Sequence, residues 1–256
     1  MTRTLLRLLA TPVAVVVALV VLYWQVGEQT NSIAVSALAG GDATTAHAFS
    51  DNVITKVGEH LKLVGISALF VLLVGVPLGV VLTRTRSRLV SIPINALFNA
   101  GQAAPVIGVL VLLVSLFGIK SWVPYVGLVV YAVLPVMRNT VEGIRNVDPA
   151  LIDAARGQGF SRGQVLLRVE LPLAVPIILA GIRTSLVLLV GTATLATFIN
   201  AGGLGDIIND GIKNQRNPVL LTGAVLAAVL AVTIDWLAGI AERYLSPKGL
   251  RGERTA

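Results

Sequence analysis

Long apolar stretches recur along this 256-residue chain and leave few folds open to it. A helix that crosses the hydrocarbon core of a bilayer needs about 20 mostly apolar residues. Five or six stretches qualify, and 55% of all residues are hydrophobic whereas only 13% are charged. We therefore predict an all-α, polytopic membrane protein with about six spans, in which one N-terminal helix precedes a five-helix core. The predicted spans lie near residues 10–26, 61–82, 89–117, 122–137, 173–199 and 218–240.

The composition also excludes several kinds of site. The net charge is +7, but the basic residues punctuate long apolar runs and do not form a soluble basic face, so nucleic acid is not the expected partner. The chain has no cysteine, which excludes disulfides and thiolate ligands. The two histidines, His47 and His60, have no neighbours at metal-ligand spacing, and we predict no metal site.

The positions of the basic residues predict the orientation. Lys and Arg accumulate in cytoplasmic loops. With the N-terminus inside, fifteen of the 20 basic residues face the cytoplasm, and five do not: Lys56, Lys62, Lys120, Lys213 and Arg216. We therefore expect a multi-pass protein of the cell (inner or plasma) membrane with both termini cytoplasmic. The first span resembles a signal peptide after Arg3 and Arg7, but it lacks a small-residue cleavage site, which favours a retained helix.

The polar stretches divide the chain into regions. Residues 1–60 are predicted to hold the first span and an extracytoplasmic loop, from Gly27 to about Glu59, with at most a short surface helix. Residues 61–245 form the transmembrane core, and residues 246–256 form a cytoplasmic tail. Within the core, residues 138–172 are too polar to cross a membrane and form a cytoplasmic loop.

This loop contains signals for two helices. Asp148-Pro149 predicts a helix start, because the carboxylate can cap free N–H groups and proline suits the first turn. The helix runs to about Arg156, where Gly157 and Gly159 can end it. A second helix starts at Ser161, whose spacing to Gln164 fits a capping box, and it runs to Leu171-Pro172.

The first of these helices has two interpretations. Ala154 and Ala155 would leave its surface flat enough for another protein to approach closely, which favours a docking element. An amphipathic helix lying on the lipid surface would give the same pattern. The residue pattern alone leaves both open.

A motif in this loop resembles a known family. Asp153-Ala154-Ala155, three residues, Gly159, nine residues and then Val169-Glu170-Leu171-Pro172 resemble the EAA signature of ABC importer permeases. That signature reads Glu-Ala-Ala, three residues, Gly, nine residues, Ile-x-Leu-Pro. The spacing agrees throughout, with Asp in place of Glu and Val in place of Ile. The resemblance covers roughly Leu61 to Leu245. Two stretches, Tyr131–Asn139 and Thr194–Gly205, look like permeases for glycine betaine, choline and carnitine.

The resemblance implies a type I importer fold and a set of partners. These are two ABC ATPase subunits, a second permease subunit of the same or a similar chain, and an extracytoplasmic substrate-binding protein. It also implies that the loop couples to the ATPase through Asp153, Ala154, Ala155, Gly159, Leu171 and Pro172. The chain has no Gly-x-x-x-x-Gly-Lys-Ser/Thr motif, so we expect no cofactor in it, with ATP and magnesium bound by the ATPase.

Polar residues inside the predicted spans are candidates for a translocation path. Ser91, Asn95, Asn99 and Gln102 recur at helical spacing along one face and should avoid lipid. They either line a pore or join helices through hydrogen bonds. Gly101 and Pro105 predict a kink there. Thr194, Thr197 and Asn200 lead to a predicted external bend at Gly202–Gly205, and threonines in such helices commonly bond their own backbone instead.

Two ionisable residues lie well inside predicted spans, Arg183 and Asp235, and a pair between them is one reading. Snorkelling of Arg183 to the interface is the other. Two further functions remain possible: an ion-coupled secondary transporter, which would be expected to show broken helices and midplane charges, and a structural anchor. Within the importer class, an amino acid or another small polar solute is the alternative cargo.

Overall fold

Every regular element in the described part of the chain is a helix, which confirms the all-α prediction. The structure is a computed structural model that describes residues 10–18, 20, 46–85 and 88–245. Residues 10–18 and 20 are helical, and the rest of the first predicted span, the segment 27–45 and the tail 246–256 lie outside the described residues. The helices that follow are α1 (Ala46–Arg84), α2 (Arg88–Ala103), α3 (Val106–Phe117), α4 (Val123–Arg145), α5 (Pro149–Gly157), α6 (Arg162–Ile199), α7 (Leu204–Lys213) and α8 (Asn217–Leu245).

Four helices in the described residues are long and apolar enough to cross a membrane, and the first of the six predicted spans is described only for residues 10–18 and 20. They are Val53–Arg84 within α1, α4, α6 and α8. The predicted span 89–117 is wrong as a single helix, because the chain breaks between α2 and α3. Pro105 has the extended angles φ −63° and ψ 128°. Proline lacks an N–H group and disfavours helix in the residue before it, so the predicted kink is a complete break.

The predicted external loop is wrong for residues 46–59, because α1 begins at Ala46. The physical reason is tertiary packing. Val53 and Val57 pack against a buried cluster that contains Leu204 and Ile207. Burial of apolar side chains, which the polar residues of this stretch obscure, stabilises the helix.

The described chain forms two compact units, each built from separate segments. The first contains the described residues up to Ser67, together with Pro105–Leu128 and Val187–Trp236. One of its cores joins Leu110 of α3 to Val123 and to the end of α6. A second joins α7 to α8 and to the start of α1.

The second unit contains Ala68–Ala104, Val129–Leu186 and the described residues from Leu237 onward. Its inner packing depends on small residues where α1 approaches α4. A Cβ added at Gly79 would lie 2.5 Å from the Thr140 Cβ atom, so only glycine fits at this crossing. Small residues at such crossings are typical of helices that pack within membranes.

Candidate functional site

Both helices of the segment from Asp148 to Pro172 begin where the sequence predicts, but the predicted end of the second helix at Leu171-Pro172 is wrong, because that helix continues as α6 to Ile199. The Ala150 N–H donates to Asp148 Oδ1 at 2.9 Å, and Pro149 occupies the first turn of α5. A side chain that caps a helix in this way satisfies an N–H group that has no partner within the helix. The helix ends at Gly157, one residue after the predicted end.

The turn after α5 depends on one glycine. Gly159 has φ 86°, a left-handed conformation that residues with a Cβ atom rarely adopt. Gly157 is the last helical residue and does not have a positive φ, so only one of the two predicted glycines makes the turn. The capping box at Ser161 is confirmed: Ser161 N–H donates to Gln164 Oε1 at 2.8 Å, and Gln164 N–H donates to Ser161 Oγ at 3.4 Å.

The exposed surface of α5 differs from the predicted one. Asp153 and Ala154 are exposed, but Ala155 is 6% exposed and forms part of the interior. The prediction that both alanines form an exposed flat surface is therefore wrong for Ala155, because this residue faces the interior of the protein. Leu151, which is 48% exposed, replaces it on the accessible side.

A charged pair lies at the base of this segment and was not predicted. Residues Leu166–Glu170 form a π-helical turn within α6, and Glu170 is 2% exposed. Its carboxylate forms an ion pair with Arg84, the last residue of α1. The only sequence signal is a carboxylate directly before Leu171-Pro172, where α6 becomes apolar.

A second polar site lies in the first unit. Lys56 Nζ contacts Glu59 Oε2 at 2.9 Å and Asp206 Oδ2 at 2.7 Å, so one cation bridges two carboxylates. The Gly203 N–H also donates to Glu59 Oε2, at 2.9 Å. Thr197 Oγ1 donates to Asp206 Oδ1. This network attaches the turn around Gly203 to α1.

The network borders an open cavity of about 430 Å³. Its lining residues are Lys56, Glu59, Lys62, Leu63, Tyr125, Asn200, Ala201, Gly202 and Asp206. Two lysines and two carboxylates among the described lining residues give the lining no net formal charge.

The predicted path residues of α6 have different surroundings. Asn200 lines the cavity and has a left-handed backbone, with φ 58°. The Thr197 hydroxyl bonds to Asp206, whereas Thr194 Oγ1 donates to the Gly191 carbonyl of its own helix at 2.7 Å. Sequence reasoning missed Lys56 and Asp206, because residues 150 positions apart give no local sign of contact.

The predicted stripe of α2 is only partly described. Ser91, Asn95, Asn99 and Gln102 all lie in α2. Asn99 is exposed, and its Oδ1 accepts a hydrogen bond from Arg138 Nη2 at 2.5 Å. The side chains of the other three lie outside the described part, so pore lining stays a prediction.

Arg183 has one ion-pair neighbour that was not predicted, Glu242. Its Nη1 lies 3.8 Å from Glu242 Oε2. The predicted pair between Arg183 and Asp235 therefore stays a prediction.

The fold is that of the transmembrane subunits of ABC importers. The chain is similar to a subunit in inward-facing conformations of the MetNI methionine ABC transporter, with a TM-score of 0.69 and 24% identity, covering 79% of this chain and 100% of that one. It is also similar to a chain of an amino acid ABC transporter crystallised with histidines, with a TM-score of 0.62 and 16% identity, covering 83% and 99% of the two chains.

Sequence comparison defines the family. Residues 75–248 match the family described as binding-protein-dependent transport system inner membrane component, and the chain belongs to this family. It is 40% identical to the glycine betaine/carnitine/choline permease protein OpuCB of Bacillus subtilis, over 77% of this chain and 90% of that protein. It is 35% identical to the osmoprotectant import permease protein OsmY of Salmonella typhimurium, over 96% and 98%. The chain is thus a transport component, and ATP hydrolysis belongs to a separate subunit in such systems.

Proposed function

We propose that this chain is the permease subunit of an ABC importer for compatible solutes of the glycine betaine, choline and carnitine type. The observation that supports this cargo is the identity of 35–41% to permeases named for these solutes, over 76% or more of the chain. Its partners are the ABC ATPase subunits, a second permease subunit and a binding protein on the outer side. Both termini face the cytoplasm.

The ATPase docks on the segment Asp153–Pro172. Support comes from its construction: α5 is capped at its start, is turned by Gly159 at its end and exposes Asp153 and Ala154. A short helix held at both ends can transmit force with little loss to local bending. ATP-driven closure of the ATPases moves this segment and switches the helices between inward-open and outward-open states, since a ligand shifts such an equilibrium only through differential affinity.

The polar cavity in the first unit is the entrance of the path. It contains Asn200 and lies beside Thr197, two of the residues expected along the path. Its balanced charges do not trap a cation or an anion. Quaternary ammonium groups are recognised best by aromatic cages. Among the described residues that line the cavity, Tyr125 is the only aromatic one, so tight selection belongs to the binding protein.

The test is uptake into proteoliposomes that contain the permease, its ATPase and the binding protein. We expect ATP-dependent uptake of labelled glycine betaine, choline or carnitine. We expect no uptake when the phosphate-binding lysine of the ATPase is substituted so that ATP hydrolysis is lost. Uptake of methionine or histidine without uptake of these solutes would show that the cargo is an amino acid. Uptake that survives without any ATPase would contradict the function and favour an ion-coupled transporter.

A further inference from the structure

A buried carboxylate lies inside the proposed docking segment and has no role yet. Glu170 is 2% exposed, whereas carboxylates are almost never fully buried unless a partner compensates their charge. It ends the π-helical turn Leu166–Glu170. In the Ile-x-Leu-Pro part of the EAA signature, which this segment resembles, its position is the x, which any residue can occupy. Surface docking therefore does not explain its burial.

The compensating partner comes from another helix. Arg84 Nη2 and Glu170 Oε2 form an ion pair, and the Arg84 side chain is 45% exposed whereas that of Glu170 is 3% exposed. Arg84 thus connects the accessible end of α1 with the interior of the loop. Removal of one member of such a pair leaves a charge without compensation, so the two side chains hold each other in position.

Apolar packing joins the same elements. A buried cluster of Ile144, Ala174 and Ile178 receives side chains from both α1 and the π-helical region of α6. The contributing residues are Val76 and Val80 from α1, and Leu166 and Leu171 from α6. Movement of the turn therefore acts on α1 through a continuous set of contacts.

Charged residues extend this connection to α5. Arg156 lies within electrostatic range of Arg84, and Arg156 Nη1 is 3.9 Å from Asp153 Oδ1. Arg84 and Arg156 carry like charges, so Arg84 is repelled by Arg156 of α5 while it pairs with the buried Glu170, and a movement of α5 changes the balance of these two forces on Arg84. π-helical turns are rare and occur frequently at functional sites, which agrees with a segment that changes shape during the cycle.

We propose that the Arg84–Glu170 pair is a positioning link that transmits movement of the docked α5 to α1. This inference rests on the proposed function, because it requires an ATPase on α5. The link is not needed for the ATPase to bind. It is needed for hydrolysis to move the transmembrane helices.

The experiment compares four variants of the full complex in proteoliposomes: Arg84→Glu, Glu170→Arg, the double exchange of both, and Glu170→Gln. Arg243→Glu, which reverses an exposed charge in the last turn of α8, is the matched control. Two quantities are measured for each: the amount of ATPase that co-purifies, and the number of solute molecules imported per ATP hydrolysed. The second quantity separates coupling from simple loss of protein.

We expect both single reversals to retain the ATPase while import per ATP falls by about tenfold, within the usual range of coupling between sites. The double exchange should recover most of this loss, because it restores an ion pair with the opposite polarity. Glu170→Gln keeps the shape without the charge and should lower the ratio by about threefold or more. The control should match the wild type.

Two results would overturn the link: a double exchange no better than the single reversals, or a wild-type ratio in Glu170→Gln. If a single reversal does not fold and the double exchange does not restore folding, this counts as a double exchange no better than the single reversals. If the wild-type chain itself retains no ATPase, the proposed function is wrong. If either of the two results is obtained while the ATPase stays bound, the link alone is contradicted and the proposed function stands.

Discussion

At the scale of single residues, Gly159 has the clearest structural reason for its identity. Apart from its two chain neighbours, no residue in the described part of the chain has an atom within 4 Å of the position that its Cβ atom would take, so space does not require glycine there. Its φ of 86° does require it, because the left-handed conformation costs other residues about 1–2 kcal/mol. The orientation of α5 relative to the second helix of the segment depends on this one backbone angle.

We therefore expect Gly159→Ala to lower import per ATP, whereas Gly157→Ala should leave it unchanged. Both positions have open space, and only Gly159 has a positive φ, so the two substitutions differ in backbone strain alone. The expected destabilisation is about 1–2 kcal/mol for Gly159→Ala. Coupled uptake and thermal unfolding of the two variants measure the effect. An equal response at both glycines would contradict the role of the turn.

Lys56 is the residue on which the polar network depends. Without its ammonium group, Glu59 and Asp206 would face each other with no cation between them. Lys56→Met should lower the free energy of unfolding by about 1–2 kcal/mol, less than for a fully buried pair because the side chains are partly exposed.

The measurement is the shift of the unfolding midpoint of the purified chain. Lys62→Met is the matched control, because it substitutes an exposed lysine of the same helix. A shift at Lys62→Met as large as at Lys56→Met would mean that charge alone, not the bridge, produces the effect.

Residues that act through near neighbours could be predicted, and residues that act across the chain could not. Asp148 and Ser161 cap helices two or three positions away, so their spacing in the sequence carries the information. Lys56 and Asp206 meet across 150 positions. Their contact depends on how α7 packs, which no local pattern encodes.

At the scale of elements, the boundaries of the helices deviate where packing or proline overrides composition. The start of α1 is polar and looked like a loop, but Val53 and Val57 are held by the core around Leu204. The apolar stretch 89–117 looked continuous, but Pro105 divides it. Hydropathy reports which stretches are apolar. It does not report where their backbone hydrogen bonds are interrupted.

The end of α6 is the element whose packing is most restrictive. Thr194–Ile199 forms a 3-10 helix, and α7 lies against it so closely that a Cβ atom on Gly205 would overlap the Thr194 carbonyl oxygen. The 3-10 turn carries Thr197 to Asp206, so the same contact supports the polar network.

Gly205→Ala should consequently destabilise the protein by about 3 kcal/mol, the upper range for overpacking, because a backbone atom obstructs the methyl group. Gly191→Ala is the matched control, since Gly191 is exposed in the neighbouring helix α6 with open space around its Cβ position. It should be neutral or slightly stabilising. Unfolding midpoints of both variants decide this, and a tolerated alanine at position 205 would contradict the packing.

At the scale of the whole molecule, orientation decides which partners each site can reach. The chain has no cysteine, so any introduced thiol is the only one. A membrane-impermeant maleimide added outside intact cells should label Lys213→Cys and not Ala154→Cys, with the reverse in inverted vesicles. Both positions are exposed. Labelling of Ala154→Cys from outside would show that the topology is the opposite of the predicted one. The docking segment would then lie on the side of the membrane that the ATPase cannot reach.

The most direct test of the account is a cross-link from α5 to the ATPase. Ala154→Cys is treated with a short thiol-to-amine linker in membranes that contain the complete transporter, with Lys213→Cys as the matched position. We predict a product with the combined mass of permease and ATPase from Ala154→Cys only, with a yield that changes when ATP is added. No such product from Ala154→Cys, or an equal one from Lys213→Cys, would contradict the central claim that Asp153–Pro172 docks the ATPase.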